Sequence, residues 1–190
     1  MKIMTENKVI VLTGPAGAGK TSIASYLKDR WQVPQVITHT TRAKRIGEVD
    51  GVDYYFESAS SFLLNDYLES VHYSQADYGS SMEGLQKGWE QSSLACIVLD
   101  TKGAETYLKR LGSQAWVWYV TIGDVAKLEK RLVDRGDDQA AVHVRLTAPE
   151  FKRDLQLPEE LEGHATVLKN DDWQETCQEV DRLIQSYRAL

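Results

Sequence analysis

Two cysteines in 190 residues cannot build a disulfide framework. Cys96 lies inside an apolar run and Cys177 on a helix-period face, so both read as buried packing residues and neither as a metal ligand. The four histidines, His39, His72, His143 and His164, share no metal-ligand spacing with each other or with the cysteines. Prolines are few and scattered, at positions 15, 34, 149 and 158; with no Gly/Ser-rich stretch and no internal repeat, one continuous unit is expected. No apolar run approaches the roughly 20 residues that cross a bilayer. The first eight residues also lack the longer apolar region of a secretory signal, so the expected compartment is cytoplasmic, with no membrane partner. Positive charge is the minority: 22 Lys and Arg against 28 Asp and Glu give a net charge of −6, which argues against a nucleic-acid polymer as partner. Against that background the basic clusters Arg42-Lys44-Arg45 and Lys127-Lys130-Arg131-Arg135 stand out.

What is present alternates strand and helix. Lys8 to Thr13 reads as a buried strand, followed by a glycine-rich turn and a helix from about Lys20 to Arg30. Further strands are expected near Val33 to Thr38, Leu94 to Leu99 and Ala115 to Ile122, with helices near Ala104 to Leu111 and Asp124 to Asp134. Trp173, Cys177, Val180, Ile184 and Tyr187 step by three and four along a last helix, and Asp172 with Glu175 resembles its capping box. The fold class is therefore α/β, a mostly parallel sheet flanked by helices. Between Arg42 and Trp89 the alternation lapses into polar loops, strand candidates at Val52 to Phe56 and Tyr67 to Tyr73, and a short helix near Ser60 to Asn65. That stretch reads as a small inserted subdomain. A second interruption, Asp134 to Gln139, is polar and carries Gly136, as a mobile flap would.

Gly14-Pro15-Ala16-Gly17-Ala18-Gly19-Lys20-Thr21 fits G-x-x-x-x-G-K-[ST] and lies between a strand and a helix N-terminus, where a phosphate-binding loop must lie. Glycines let main-chain N–H groups wrap a phosphate, and the helix start adds a positive dipole end. Lys20 can then reach the β- and γ-phosphates of ATP, Thr21 can ligate Mg²⁺, and Ser22 extends the cradle. The loop alone does not separate GTPases, ATPases and small-molecule kinases.

Thr38-His39-Thr40-Thr41-Arg42-Ala43-Lys44-Arg45-Ile46-Gly47-Glu48, Asp53-Tyr54-Tyr55-Phe56, Glu69, Tyr78-Gly79-Ser80 and Leu99-Asp100 resemble the guanylate kinase family in order and spacing. With the phosphate-binding loop the resemblance covers most of the chain. It implies a P-loop core at about 1–37, 91–129 and 149–190, a GMP-binding insertion at about 38–90, and a lid at about 130–148. It implies that Arg42, Arg45, Tyr54 and Tyr78 hold the phosphate of GMP. Two arginines three residues apart can indeed converge on one dianion, with phenol hydroxyls adding donors without charge. Guanine presents N1–H and N2–H₂ together, a donor pair suited to facing carboxylates. Glu69 and Asp100 match the family positions that supply them, with Thr38, Gly79 and Ser80 beside the base. Arg131, Arg135 and Arg145 match arginines that clamp the transferring phosphoryl group, and Asn170 matches a residue beside the adenine of ATP.

Several positions depart from the family pattern. Lys44 stands for a usual proline, Val98 for an aspartate, and Gln139-Ala140 for paired glutamates in a lid one residue short; the segment Gln75-Ala76-Asp77 lacks a common glycine. The expected activity is Mg-dependent phosphoryl transfer from ATP to GMP or dGMP by a monomer or homodimer. A kinase for another small phosphorylated acceptor and a non-catalytic binding module are the rivals.

Overall fold

A computed structural model describes residues 6–73, 75–124, 126–134, 136 and 139–189. Two sheets organise them. The first is fully parallel, in the order β6-β1-β7-β8, from β1 (Lys8–Thr13), β6 (Leu94–Val98), β7 (Ala115–Thr121) and β8 (Ala165–Lys169). The second, in the order β3-β2-β5-β4, is mixed and consists of β2 (Thr38–Thr40), β3 (Tyr54–Phe56), β4 (Glu69–Tyr73) and β5 (Ala76–Ser80). The helices are α1 (Lys20–Trp31), α2 (Ala59–Phe62), α3 (Met82–Gln91), α4 (Thr101–Leu111), α5 (Ala126–Asp134), α6 (Gln139–Thr147), α7 (Pro149–Asp154) and α8 (Trp173–Arg188).

The period of two along β1 explains the layers. Ile10 and Leu12 point to one face, where Ile23 and Leu27 of α1 and Val180 and Ile184 of α8 cover them. Val9 and Val11 point to the other and meet Leu85 of α3 and Ala104 and Tyr107 of α4. Both faces are dry, as parallel strands require. Because β1 is interior and parallel to both neighbours, its C-terminal end opens beside the ends of β6 and β7, with Leu12 opposite Val98 and Thr13 opposite Tyr119. That edge is where ligands of parallel sheets collect.

Several expectations shift. The strand foreseen from Val33 to Thr38 contributes only a Gln35–Cys96 bridge to the parallel sheet. Pro34 has no N–H for that ladder; its carbonyl accepts from Cys96, Val36 N–H bonds back to Cys96 O, and the chain then crosses to the second sheet at Thr38. β5, α3 and β8 were not foreseen. Cys96 is fully buried, and burial pushes its thiol up to about 12. Cys177 is only half-buried, and Trp173 is 44% exposed at the first turn of α8 instead of lying on its packed face. The cap at that helix is present, with Asp172 accepting from Glu175 N–H at 2.9 Å.

Candidate active site

The turn after β1 wraps tightly because its glycines occupy conformations closed to other residues. Gly14, Gly17 and Gly19 have φ of 125°, 82° and 100°. A Cβ on Gly14 would lie 2.1 Å from the Val120 carbonyl oxygen, main chain that cannot move aside. Gly14→Ala is therefore expected to lower stability by about 1–3 kcal/mol, measured by urea unfolding. Gly19 caps α1 in the left-handed region with no side-chain bond, and the first turn holds no acid, so the positive end of the helix dipole is left for an anion. Lys20 Nζ donates to Gly14 O at 2.6 Å and Pro15 O at 2.8 Å, which folds the cation over its own loop. Thr21 and Ser22 are exposed at the same helix start.

Asn170, expected beside the adenine of ATP, lines the cavity next to the turn. It is only 5% exposed: Nδ2 donates to Ala18 O at 2.8 Å while Oδ1 accepts from Thr176 Oγ1 at 2.9 Å. Its side chain ties the phosphate-binding turn to α8. Arg131 Nη2 donates to the Asn170 carbonyl at 2.9 Å, so this arginine of α5 rests beside the turn. Arg145 of α6 lines the same cavity. Arg135, the third arginine expected here, lies outside the described residues.

On the other side of the cleft, β3 and β5 flank β2 and bring Tyr54 and Tyr78 together, with ring centroids 6.2 Å apart in an edge-to-face pair. Arg42 lies over Tyr54, its Cζ 5.3 Å from the ring centroid. Glu69 on β4 is 5% exposed; its Oε1 accepts from Ser80 Oγ at 2.9 Å, and Ser80 in turn accepts from Tyr107 OH at 2.9 Å. The other oxygen, Oε2, is buried with no hydrogen-bond partner. It lies against Gly103 of α4, where a Cβ would come within 3.1 Å of it, and a buried carboxylate oxygen without a donor is costly. Burial pushes the Glu69 carboxyl up to about 7, the Ser80 bond restraining the rise and nearby Asp100 adding to it.

Asp100, the second expected base-reading acid, is already engaged on both oxygens. Oδ1 caps α4 by accepting from Gly103 N–H at 2.7 Å, and Oδ2 meets Arg153 Nη2 at 2.5 Å. Arg153 also pairs with Asp154, which accepts from Thr101 Oγ1 at 2.6 Å. Sequence reasoning missed Arg153, Asp154 and Tyr107, since their partners lie 27 to 53 residues away along the chain.

One cavity of about 2340 Å³ joins the two halves. It is lined by Gly14, Gly17, Gly19, Lys20, Thr21, Ser22, Thr38, Arg42, Arg45, Tyr54, Glu69, Tyr78, Gly79, Asp100, Arg131, Arg145 and Asn170. Ala18 and Ser80 lie buried behind that lining. Since single-ligand pockets measure about 300–1,000 Å³, the cleft has room for two nucleotide-sized molecules.

Comparisons with known proteins show the family and the fold. The family model described as guanylate kinase matches residues 6–187. Guanylate kinase of Hahella chejuensis is 30% identical over 195 residues, covering 97% of this chain and 89% of that protein. That of Sulfurimonas denitrificans is 32% identical over 174 residues, covering 89% and 82%. Among solved structures, guanylate kinase from Anaplasma phagocytophilum superposes with a TM-score of 0.67 at 19% identity, covering 95% of this chain and 86% of that one, a likeness of fold.

Proposed function

The chain belongs to the guanylate kinase family, whose members are nucleoside monophosphate kinases, and we propose that it transfers the γ-phosphoryl group of Mg·ATP to GMP or dGMP. The observation that carries this reading is one cavity lined both by the glycine-rich turn with Lys20 and by Arg42, Arg45 and Glu69, the last a buried carboxylate with one oxygen lacking a hydrogen-bond partner. ATP would place its phosphates on the turn and the α1 N-terminus. The acceptor would place its base against Glu69 and its phosphate among Arg42, Arg45, Tyr54 and Tyr78, in the unit at about 38–90.

The chemistry needs little from the protein beyond alignment and charge neutralisation. The attacking phosphate oxygen is already anionic, so no general base is required. Lys20, freed from the Gly14 and Pro15 carbonyls, neutralises charge on the transferring group, and Arg131 and Arg145 approach from the segment at about 130–148 as it closes. Closure excludes water, which would otherwise take the phosphoryl group. A magnesium ion, when bound, supplies further charge neutralisation at the phosphates. The exposed hydroxyl of Thr21 at the start of α1 would hold it. That donor set fits Mg²⁺, which keeps most of its waters and phosphate oxygens.

The test is ADP formation from Mg·ATP with GMP, dGMP, AMP, UMP or CMP offered separately. Turnover confined to the guanine nucleotides is expected. Turnover with a different acceptor would discard the Glu69 assignment, and tight GMP binding without turnover would make the chain a binding module.

A pH dependence follows from Glu69. Guanine N1–H and N2–H are best met by an ionised carboxylate, whereas burial pushes the Glu69 carboxyl up to about 7. Below that pH, GMP binding should release a proton. Affinity should rise with pH up to about 7, falling by about tenfold per pH unit below it, and then level off. Calorimetric titration of GMP from pH 5.5 to 8.5 measures this; a flat profile would place the base elsewhere.

A further inference from the structure

The loop between β2 and β3 folds around one carboxylate that the expected ligand set leaves out. Glu48 Oε2 accepts from Arg42 Nη1 at 3.0 Å and from the Arg45 main-chain N–H at 2.7 Å. Its Oε1 accepts from Arg42 Nη2 at 2.8 Å. The turn that brings it there is closed by Glu48 N–H donating to Arg45 O at 3.2 Å, with Gly47 at a φ of 87°. Arg42 Nη1 gives its second hydrogen to Ala43 O at 2.7 Å.

The end of the guanidinium formed by Nη1 and Nη2 is thus occupied. Among the described residues nothing is hydrogen-bonded to the other edge, Nε–H with the outer hydrogen of Nη2. That edge is itself a planar two-donor fork of the kind that takes two oxygens of a phosphate. The plane of the fork is held as well, since Arg42 Cζ lies 5.3 Å from the Tyr54 ring centroid and 5.8 Å from that of Phe56. The pair is largely withdrawn from solvent, Arg42 and Glu48 side chains being 14% and 17% exposed. Burial opposes both charges, but the bonds from Arg42 and the Arg45 N–H outweigh it and hold Glu48 below the usual carboxylate range.

We propose that Glu48 is the positioning residue of the acceptor-phosphate site: it grips Arg42 by one edge and the Arg45 main chain, so that the remaining edge of Arg42 is presented to the phosphate. The inference rests on the GMP reading above and adds a residue to it. A simple charge argument points the opposite way. A carboxylate beside a bound dianion repels it, and removing that charge alone would tighten binding. The two accounts therefore differ in sign.

Glu48→Gln keeps the shape while removing the charge and turning one acceptor into a donor that faces an Arg42 N–H. Calorimetric titration of GMP without ATP is expected to show about tenfold or greater loss of affinity, with the acceptor KM rising in step. Turnover at saturating GMP should stay within about threefold of wild type, because positioning affects binding more than the chemical step. Guanosine, which lacks the phosphate, should bind both proteins alike, and so should ATP. The effect should shrink in an Arg42→Ala background, leaving only the part that runs through the Arg45 main chain. GMP binding that is unchanged or tighter in Glu48→Gln overturns the proposal, as does an equal loss of guanosine. If Glu48→Gln does not fold, Glu48→Asp, which is one methylene too short for the same grip, must weaken GMP in the same direction or the proposal fails. Wild-type protein that binds no GMP would instead remove the functional reading itself.

Discussion

Lys20→Ala is expected to lower phosphoryl transfer by about 10³-fold or more, the scale of removing a preorganised charge-stabilising donor, while GMP binds as in wild type. Lys20 Nζ spans the Gly14 and Pro15 carbonyls at 2.6 and 2.8 Å, so the cation is part of the glycine-rich turn. Its charge matters most as negative charge spreads over the transferring oxygens, hence the loss should fall mainly on turnover. The proposed acceptor site is on the second sheet, where Glu69 is on β4 and Tyr78 on β5, and GMP binding should be spared. Steady-state kinetics with calorimetric GMP titration separates the two. Residual turnover near wild type would remove the turn from the mechanism.

Glu69→Gln is expected to weaken GMP binding by about 1.5–3 kcal/mol, roughly 10- to 150-fold, the cost of losing a hydrogen bond to a charged acceptor. The orphaned Oε2 is the reason for so large an effect. Oε1 is committed to Ser80, which Tyr107 in turn supports, so the carboxylate cannot rotate without breaking that relay. An amide in its place can point an N–H₂ at the guanine N–H donors, or turn it toward Ser80, but cannot accept on both sides. The same substitution should remove the share of the rise in GMP affinity between pH 6 and 7 that comes from this carboxyl, leaving the share that comes from the second ionisation of the GMP phosphate at about 6. Competition by AMP measures the loss of selectivity. Unchanged GMP affinity would move base recognition to another group.

The features legible in the chain were those whose physics is local. Gly14 to Thr21 acts through consecutive residues and a helix start, so its spacing alone declared it, and β1 was bounded at Lys8 and Thr13 by its apolar run. Asp172 capped α8 as its position implied. Short elements on weakly patterned sequence were the ones lost. β8 pairs on one side only and leaves Val167 exposed, and α3 contains two glycines, so neither carried a clear period. Trp173 kept helical spacing yet lies half out of the core, because at the first turn of α8 it packs edge-on against Tyr26 of α1 and lines the cleft.

By itself the sequence determined the fold class, the glycine-rich turn and the identity of polar groups that line the cleft. Only the tertiary structure decided what state those groups are in. It bound Asp100 to Arg153, buried Asn170 between the turn and α8, left one oxygen of Glu69 without a donor and set Glu48 against one edge of Arg42. Residue types and spacing specify which hydrogen bonds a side chain can make. Which of them are already made, and which are left for a ligand, depends on partners that the fold brings together from distant positions.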